Sequence, residues 1–162
     1  MLYLRDNGIG GILGDEMGLG KTIQTLALFQ YIKENGDLKS GSTAPFLVVC
    51  PLSVVETWVS EIAKWTPGLR AVVYHGSPGD KAGTRKQISK QKQEKEGHSQ
   101  VHDIDIVVTT YDSLITDILW FQRAFVWRYV VLDEGHRIKN DQSKRTQKLE
   151  KVKAEFKLVL SG

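Results

Sequence analysis

Asp15-Glu16-Met17-Gly18-Leu19-Gly20-Lys21-Thr22 decides the fold, because it joins a tight glycine turn to a lysine and a hydroxyl at fixed spacing. Gly18 and Gly20 let the backbone curl so that successive N–H groups point inward, the arrangement that cradles a phosphate. Lys21 adds a point charge for the outer phosphates, and Thr22 adds a hydroxyl for magnesium. A literal phosphate loop begins with glycine, whereas this one begins with Asp15. Its surroundings fit the reading. Gly8-Ile9-Gly10-Gly11-Ile12-Leu13 is apolar and long enough for a buried strand. From Thr22 onward, Ile23, Leu26, Ala27, Gln30 and Tyr31 recur at helical spacing, and no proline intervenes before Pro45. Strand, glycine turn and helix form the required context, since the helix N-terminus then faces the anion. A plain glycine linker has no need of Lys-Thr directly after its last glycine.

At 162 residues the chain is one domain of ordinary size with room for a substantial core. Its 41% hydrophobic and 25% charged content are those of a globular protein. A net charge of +3 and a pI near 8.9 are mildly basic, compatible with a nucleic-acid partner without demanding one. Cys50, the lone cysteine, follows the apolar run Phe46-Leu47-Val48-Val49 and reads as a buried reduced thiol. The four histidines form no zinc pattern with it. With no secretory signal and no apolar run near membrane-spanning length, an intracellular protein is expected and no membrane partner.

Apolar runs alternate with helical patterns. Strands are predicted at Ile9–Leu13, Phe46–Cys50, Arg70–Tyr74, Ile104–Val108, Tyr129–Leu132 and Phe156–Leu160. Their near-continuous apolarity suits a parallel sheet covered on both faces. Helices are predicted at about 21–35, 54–65, 80–96, 112–119 and 142–151. The second opens with Ser53 and Glu56 at capping-box spacing and stops at Pro67-Gly68. The fold class is therefore doubly wound α/β, mostly parallel with helices on both faces, whose ligands bind outside the carboxyl ends of the strands. Residues 35–45 read as a polar loop. Asp80 to Gln100, rich in Lys, Arg and Gln, reads as a solvated helix or frayed insertion, with a basic contact surface as the alternative.

Val130-Val131-Leu132 runs directly into Asp133-Glu134. A hydrophobic strand ending in paired acids supplies what a phosphate loop needs opposite it. Asp133, with Thr22, can hold a magnesium shell; Glu134 can orient or deprotonate an attacking water. An Asp-Glu pair alone is a weak signal, but with Gly20-Lys21-Thr22 it specifies ATP hydrolysis. In the polar loop that follows, His136 is either a surface residue or a coupling sensor between the phosphate site and a moving part.

With these residues in view, the whole chain resembles the first RecA-like lobe, a P-loop NTPase domain, of the SWI/SNF-type chromatin-remodelling ATPases of helicase superfamily 2. Asp15 through Thr25 carries the likeness most specifically. Cys50-Pro51-Leu52-Ser53 with Trp58, Val108-Thr109-Thr110-Tyr111, and Asp133-Glu134-Gly135-His136 followed by Arg137-Ile138-Lys139-Asn140 match further family motifs. That last run and Trp127-Arg128-Tyr129 are most similar to the imitation-switch and chromodomain-helicase types. The resemblance implies ATP and Mg2+ as cofactors. It places nucleotide on Asp15, Gly18, Leu19, Gly20, Lys21 and Thr22, with Lys21, Asp133 and Glu134 catalytic. It implies translocation on double-stranded DNA and nucleosomes, in a nuclear multi-subunit complex, with Pro51, Ser53, Thr109, Thr110 and Tyr111 near the DNA. Trp58 and Trp65, seven apart on one helical face, read instead as core packing.

The chain departs from the family in carrying Gly135 where alanine is usual. Truncation at both ends is also expected, with the second RecA-like lobe and its arginine fingers outside the chain, so residues 1–162 alone should hydrolyse ATP very slowly. A non-chromatin translocase of the same superfamily, or an inactive protein- or DNA-binding module, are the alternative readings.

Overall fold

The computed structural model describes residues 11–14, 18–35, 44–94, 104–135 and 144–161. Within them lie strands β1 (Gly11–Gly14), β2 (Phe46–Cys50), β3 (Ala71–Tyr74), β4 (Ile106–Thr110), β5 (Trp127–Asp133) and β6 (Ala154–Ser161). The helices are α1 (Gly18–Asn35), α2 (Val55–Trp65), α3 (Pro78–Glu94), α4 (Tyr111–Thr116), α5 (Ile118–Ala124) and α6 (Lys144–Glu150). The six strands form one wholly parallel sheet in the order β1-β6-β5-β2-β4-β3. The chain winds outward to edge strand β3, then reverses through β4 and β5 to β6. All its loops of interest therefore leave the carboxyl edge of a single sheet.

Central strands are buried on both sides because alternate residues enter different cores. Phe46, Val48 and Cys50 of β2 pack with Leu26, Phe29 and Ile32 of α1 and Val55, Trp58 and Ile62 of α2. Leu47 and Val49 pack on the other face with Ile88 of α3, Leu114 of α4, Ile118 and Phe121 of α5, and Leu149 of α6. Helices thus cover both faces, as the unbroken apolar strands predict. Cys50 is buried and free. Among the described residues no helix is long and apolar enough to cross a membrane.

Three local expectations are corrected. The Ser53–Glu56 capping box does not form: Pro51 opens a 3-10 turn, Leu52–Val54, so Val54 becomes the N-cap of α2 with no side-chain bond. Ser77 and Asp80 make that reciprocal pair at α3 instead, with Asp80 N on the Ser77 hydroxyl and Ser77 N on the Asp80 carboxylate. Those Ser77 bonds hold the Asp80 carboxyl below its ordinary range. Second, Trp65 is 48% exposed, its indole N–H on Glu61 and the Lys64 ammonium over its ring; only Trp58 belongs to the core. Third, the helix predicted at 112–119 is two helices broken at Asp117.

Asp117, at the break, is held by residues far along the chain. Asp117 ion-pairs with Lys81 at 2.8 Å and Arg85 at 2.6 Å, both on α3, and Arg85 also reaches the Tyr74 hydroxyl at 2.7 Å. With Ile88, these contacts fasten α3, which takes up the stretch from Asp80 to Glu94; residues 95–100 lie outside the described residues. Burial alone would raise the Asp117 pKa, but bonds from Lys81, Tyr74 and Arg85 prevail and lower it. A carboxylate depressed in the native state stabilises the fold fully above its unfolded pKa of about 3.9. That contribution disappears as pH falls through the lower native value. Asp117→Asn should therefore lower stability at pH 7 but lessen the steepness of acid unfolding below about pH 4, as urea titrations across pH would report.

Candidate active site

The described part of the candidate phosphate segment, from Gly18, starts α1. Lys21 and Thr22 are 5% and 8% exposed, near the helix N-terminus at Gly18. Gly14 of β1 is in register with Ser161 of β6. This adjacency lets the Lys21 ammonium donate to the Ser161 carbonyl at 2.9 Å. A Cβ built on Gly20 would meet nothing within 4 Å, so open space lies beside the turn. Thr25 closes the first turn internally, its hydroxyl donating to the Lys21 carbonyl at 2.8 Å. Asp15 lies outside the described residues, as does His136; Gly18 and Leu19 are placed in α1 by their backbone.

Asp133 ends β5 at the same sheet edge and is held at three atoms. Its Oδ2 accepts the Trp58 indole N–H at 2.8 Å, its Oδ1 accepts Glu134 N–H at 2.9 Å, and its carbonyl accepts the Tyr111 hydroxyl at 2.6 Å. Glu134 has φ of 52°, the left-handed region that a residue with a Cβ occupies at a cost of ~1–3 kcal/mol. The peptide beyond it is fixed by Gly135 N–H donating to the Leu160 carbonyl at 3.1 Å. Strain concentrated beside a carboxylate at a strand end is a mark of a functional position.

The electrostatics agree. Burial first, then the charges of Asp133 and Glu134, push the Cys50 thiol up to about 12. The Tyr111 phenol is raised for the same reasons, burial leading, then Asp133, Cys50 and Glu134. Both neighbours stay protonated in a negative field that suits a cation. Among the described residues no cluster of three or more His, Cys, Asp or Glu could cage a metal. Asp133 and Thr22 nevertheless fit magnesium, which commonly takes one or two protein oxygens with substrate phosphates and waters supplying the rest.

Gly135 is explained by packing rather than by backbone freedom. A Cβ there would lie 2.5 Å from Val159 Cγ1 on β6. Valine is stiff at χ1 and yields poorly. Gly135→Ala should cost ~1–3 kcal/mol in the native background and much less in Val159→Ala, a coupling that a double-mutant cycle by denaturant unfolding measures.

The residues linked to DNA by resemblance gather at this edge, at the ends of β2 and β4. Ser53 is exposed and Pro51 half-buried. Thr109 is fully buried, its hydroxyl on the Tyr74 carbonyl at 2.8 Å. The Thr110 hydroxyl caps α4 by accepting Ser113 N–H at 3.1 Å. These threonines shape the edge and leave outward contact to backbone and to Ser53. Sequence reasoning missed His75, whose Nδ1 lies 3.1 Å from the Ser113 hydroxyl and 3.4 Å from that of Thr110; its place just after β3 was the available signal. Nearby, Leu52, Val55, Glu56, Val59, Val73 and His75 line an open groove of about 700 Å3. Neither Lys21 nor Asp133 borders it, so it is separate from the phosphate edge.

The sequence model of the SNF2-related domain matches residues 1–162. The ATP-dependent DNA helicase DDM1 of Arabidopsis thaliana is 39% identical over 163 residues, covering 100% of this chain and 20% of that protein. The transcription regulatory protein SNF2 of Saccharomyces cerevisiae is also 39% identical over 163 residues, with 100% of this chain and 9% of that protein covered. Among solved structures, the Sulfolobus solfataricus SWI2/SNF2 ATPase core in complex with dsDNA superposes with a TM-score of 0.77 at 34% identity, over 100% of this chain and 29% of that one. The chain thus spans a fifth or less of these two curated relatives. A RecA-like parallel sheet, a helix N-terminus bearing Lys21, a strand ending in Asp133, and a match along its whole length lead to one conclusion: the chain belongs to the SNF2-related domain family of superfamily 2 ATPases.

Proposed function

We propose that this domain is the nucleotide-binding lobe of an ATP-driven translocase on double-stranded DNA that works in chromatin remodelling. The observations that support this are buried Lys21 and Thr22 at the start of α1, and, at the end of β5 in the same parallel sheet, an oriented Asp133 and a left-handed Glu134. The fold's likeness to a core solved with dsDNA supports the substrate. Nucleosomes as the working partner, a nuclear setting and membership of a multi-subunit complex rest on the names of the chromatin-remodelling relatives. The imitation-switch or chromodomain-helicase affinity rests on Trp127-Arg128-Tyr129 and Arg137 through Asn140.

In this reading Lys21 would exchange the Ser161 carbonyl for phosphate oxygens, the Asp15-to-Gly20 segment would supply backbone N–H groups to them, and Thr22 and Asp133 would hold magnesium. The metal, when bound, neutralises charge on the outer phosphates. Glu134 accepts the proton of the attacking water, held near it by the fixed turn. His136 links this site to movement. A second RecA-like lobe supplies the remaining positive charge, and cycles of lobe closure advance the pair along DNA contacted at Pro51, Ser53 and the backbone at the end of β4. The test is ATP-dependent displacement of a third strand from a triplex by the intact protein, without separation of the underlying duplex. Displacement that requires ATP supports the motor. Tight binding of DNA with no displacement and no nucleotide affinity would favour a docking module.

A further inference from the structure

The geometry points to Trp58 and Tyr111 as positioning residues that make the Asp133 carboxylate respond to what occupies the turn Leu52–Val54 and the junction of β4 with α4 at Thr110. The inference rests on the nucleotide-lobe reading and adds to it a route between the two sides of the domain.

Trp58 is 1% exposed and packs in the core, where a phenylalanine would serve equally if packing were all. A buried indole N–H needs an acceptor. Here that acceptor is Asp133 Oδ2 at 2.8 Å, 75 residues away in sequence. Since Glu134 N–H occupies Oδ1, each carboxylate oxygen holds one donor, which fixes the rotation of the plane and leaves lone pairs outward for a cation. The carboxylate can then follow α2 if α2 shifts.

What could shift α2 lies just before it. Trp58 sits in its first turn, and the 3-10 turn Leu52–Val54 leads directly into that turn. Five residues of helical rise set Ser53 only ~8 Å from Trp58 along the axis. The turn has no side-chain cap; Val54 N–H on the Pro51 carbonyl ties it internally, while Leu52 is 61% exposed and Ser53 is exposed. A polyanion gripping its backbone would pull on a rigid rod that ends on Asp133. Tyr111 provides a second connection. It is the first residue of α4 after the Thr110 cap, and its hydroxyl holds the Asp133 carbonyl, adjoining the strained Glu134 peptide. The turn before α2 thus governs the carboxylate, and the β4–α4 junction the main chain behind it.

The experiment uses Trp58→Phe and Tyr111→Phe in the intact protein, each removing a donor while keeping a ring. Four quantities are read: melting temperature, duplex-DNA Kd, Mn2+ affinity in the presence of ADP by electron paramagnetic resonance, and ATP turnover with and without DNA. Both variants should fold and bind DNA within about twofold of wild type. Mn2+ affinity should fall ~10-fold in Trp58→Phe, and the ratio of DNA-stimulated to basal turnover should fall ~10-fold in both. Because the loss is in kcat and metal affinity, with the DNA concentration for half-stimulation unchanged, simple loosening of the fold would not reproduce it. Folded variants with wild-type metal affinity and wild-type DNA stimulation would overturn the proposal. If Trp58→Phe fails to fold, Tyr111→Phe decides, since it deletes a single oxygen. A wild type that binds Mn2+ and ADP without turnover defeats the hydrolase reading while the metal titration still judges Trp58; a wild type that binds neither defeats both.

Discussion

Glu134→Gln is expected to lower the kcat for ATP hydrolysis by ~10²–10⁴-fold while leaving nucleotide affinity within about twofold. Glutamine keeps the volume and one oxygen acceptor, so the turn beyond β5 need not change. What it loses is the capacity to take a proton. Glu134 is placed for that role by contacts that do not use its carboxylate: Asp133 Oδ1 holds its amide, Tyr111 holds the preceding carbonyl, and the next peptide bonds to Leu160. The left-handed φ of 52° therefore persists in the variant. Single-turnover hydrolysis and equilibrium binding of ATP, measured on one preparation, separate chemistry from binding. Equal weakening of both would mean that the glutamate holds nucleotide rather than activating water.

Lys21→Ala should act in the opposite way, raising the Kd for ATP by ~10–100-fold, because it removes a charge-assisted contact worth ~1.5–3 kcal/mol. DNA affinity should be unchanged. The Lys21 ammonium is nearly buried and already directed to the sheet edge, on the Ser161 carbonyl, so little reorganisation separates its present partner from a phosphate oxygen. Nucleotide stabilises the folded state by RT ln(1 + [L]/Kd), so the variant should lose most of the rise in melting temperature that ATP gives the wild type. Calorimetric titration with ATP checks the affinity directly. An affinity indifferent to Lys21 would remove the phosphate site from this helix.

The sheet was legible because its signals are local. Phe46–Cys50 is apolar at every position and is buried at every position. Gly18 through Thr22 and Asp133-Glu134 announce themselves as consecutive residues, and parallel topology brings them to one edge. Errors arose where a partner far along the chain decides. Ser53-x-x-Glu56 and Ser77-x-x-Asp80 look alike in sequence, yet Pro51 starts a 3-10 turn that draws Ser53 inside it, and only Ser77 becomes a cap. Asp117 lies at a helix break, and its carboxylate is held by Lys81, 36 residues earlier, and Arg85. Trp58 was readable as core but not as the donor to Asp133, since helical spacing does not show where an indole N–H ends. Gly135 is likewise explained only by Val159 across the β5–β6 pair.

The central claim is that Lys21, Asp133 and Glu134 form the phosphate end of a DNA-driven ATPase. Steady-state ATP turnover of the intact protein, with and without linear duplex DNA, tests it most directly. Turnover should rise at least ~10-fold on adding DNA and be abolished by Glu134→Gln. Turnover that ignores both duplex DNA and the loss of the Glu134 carboxylate would contradict it.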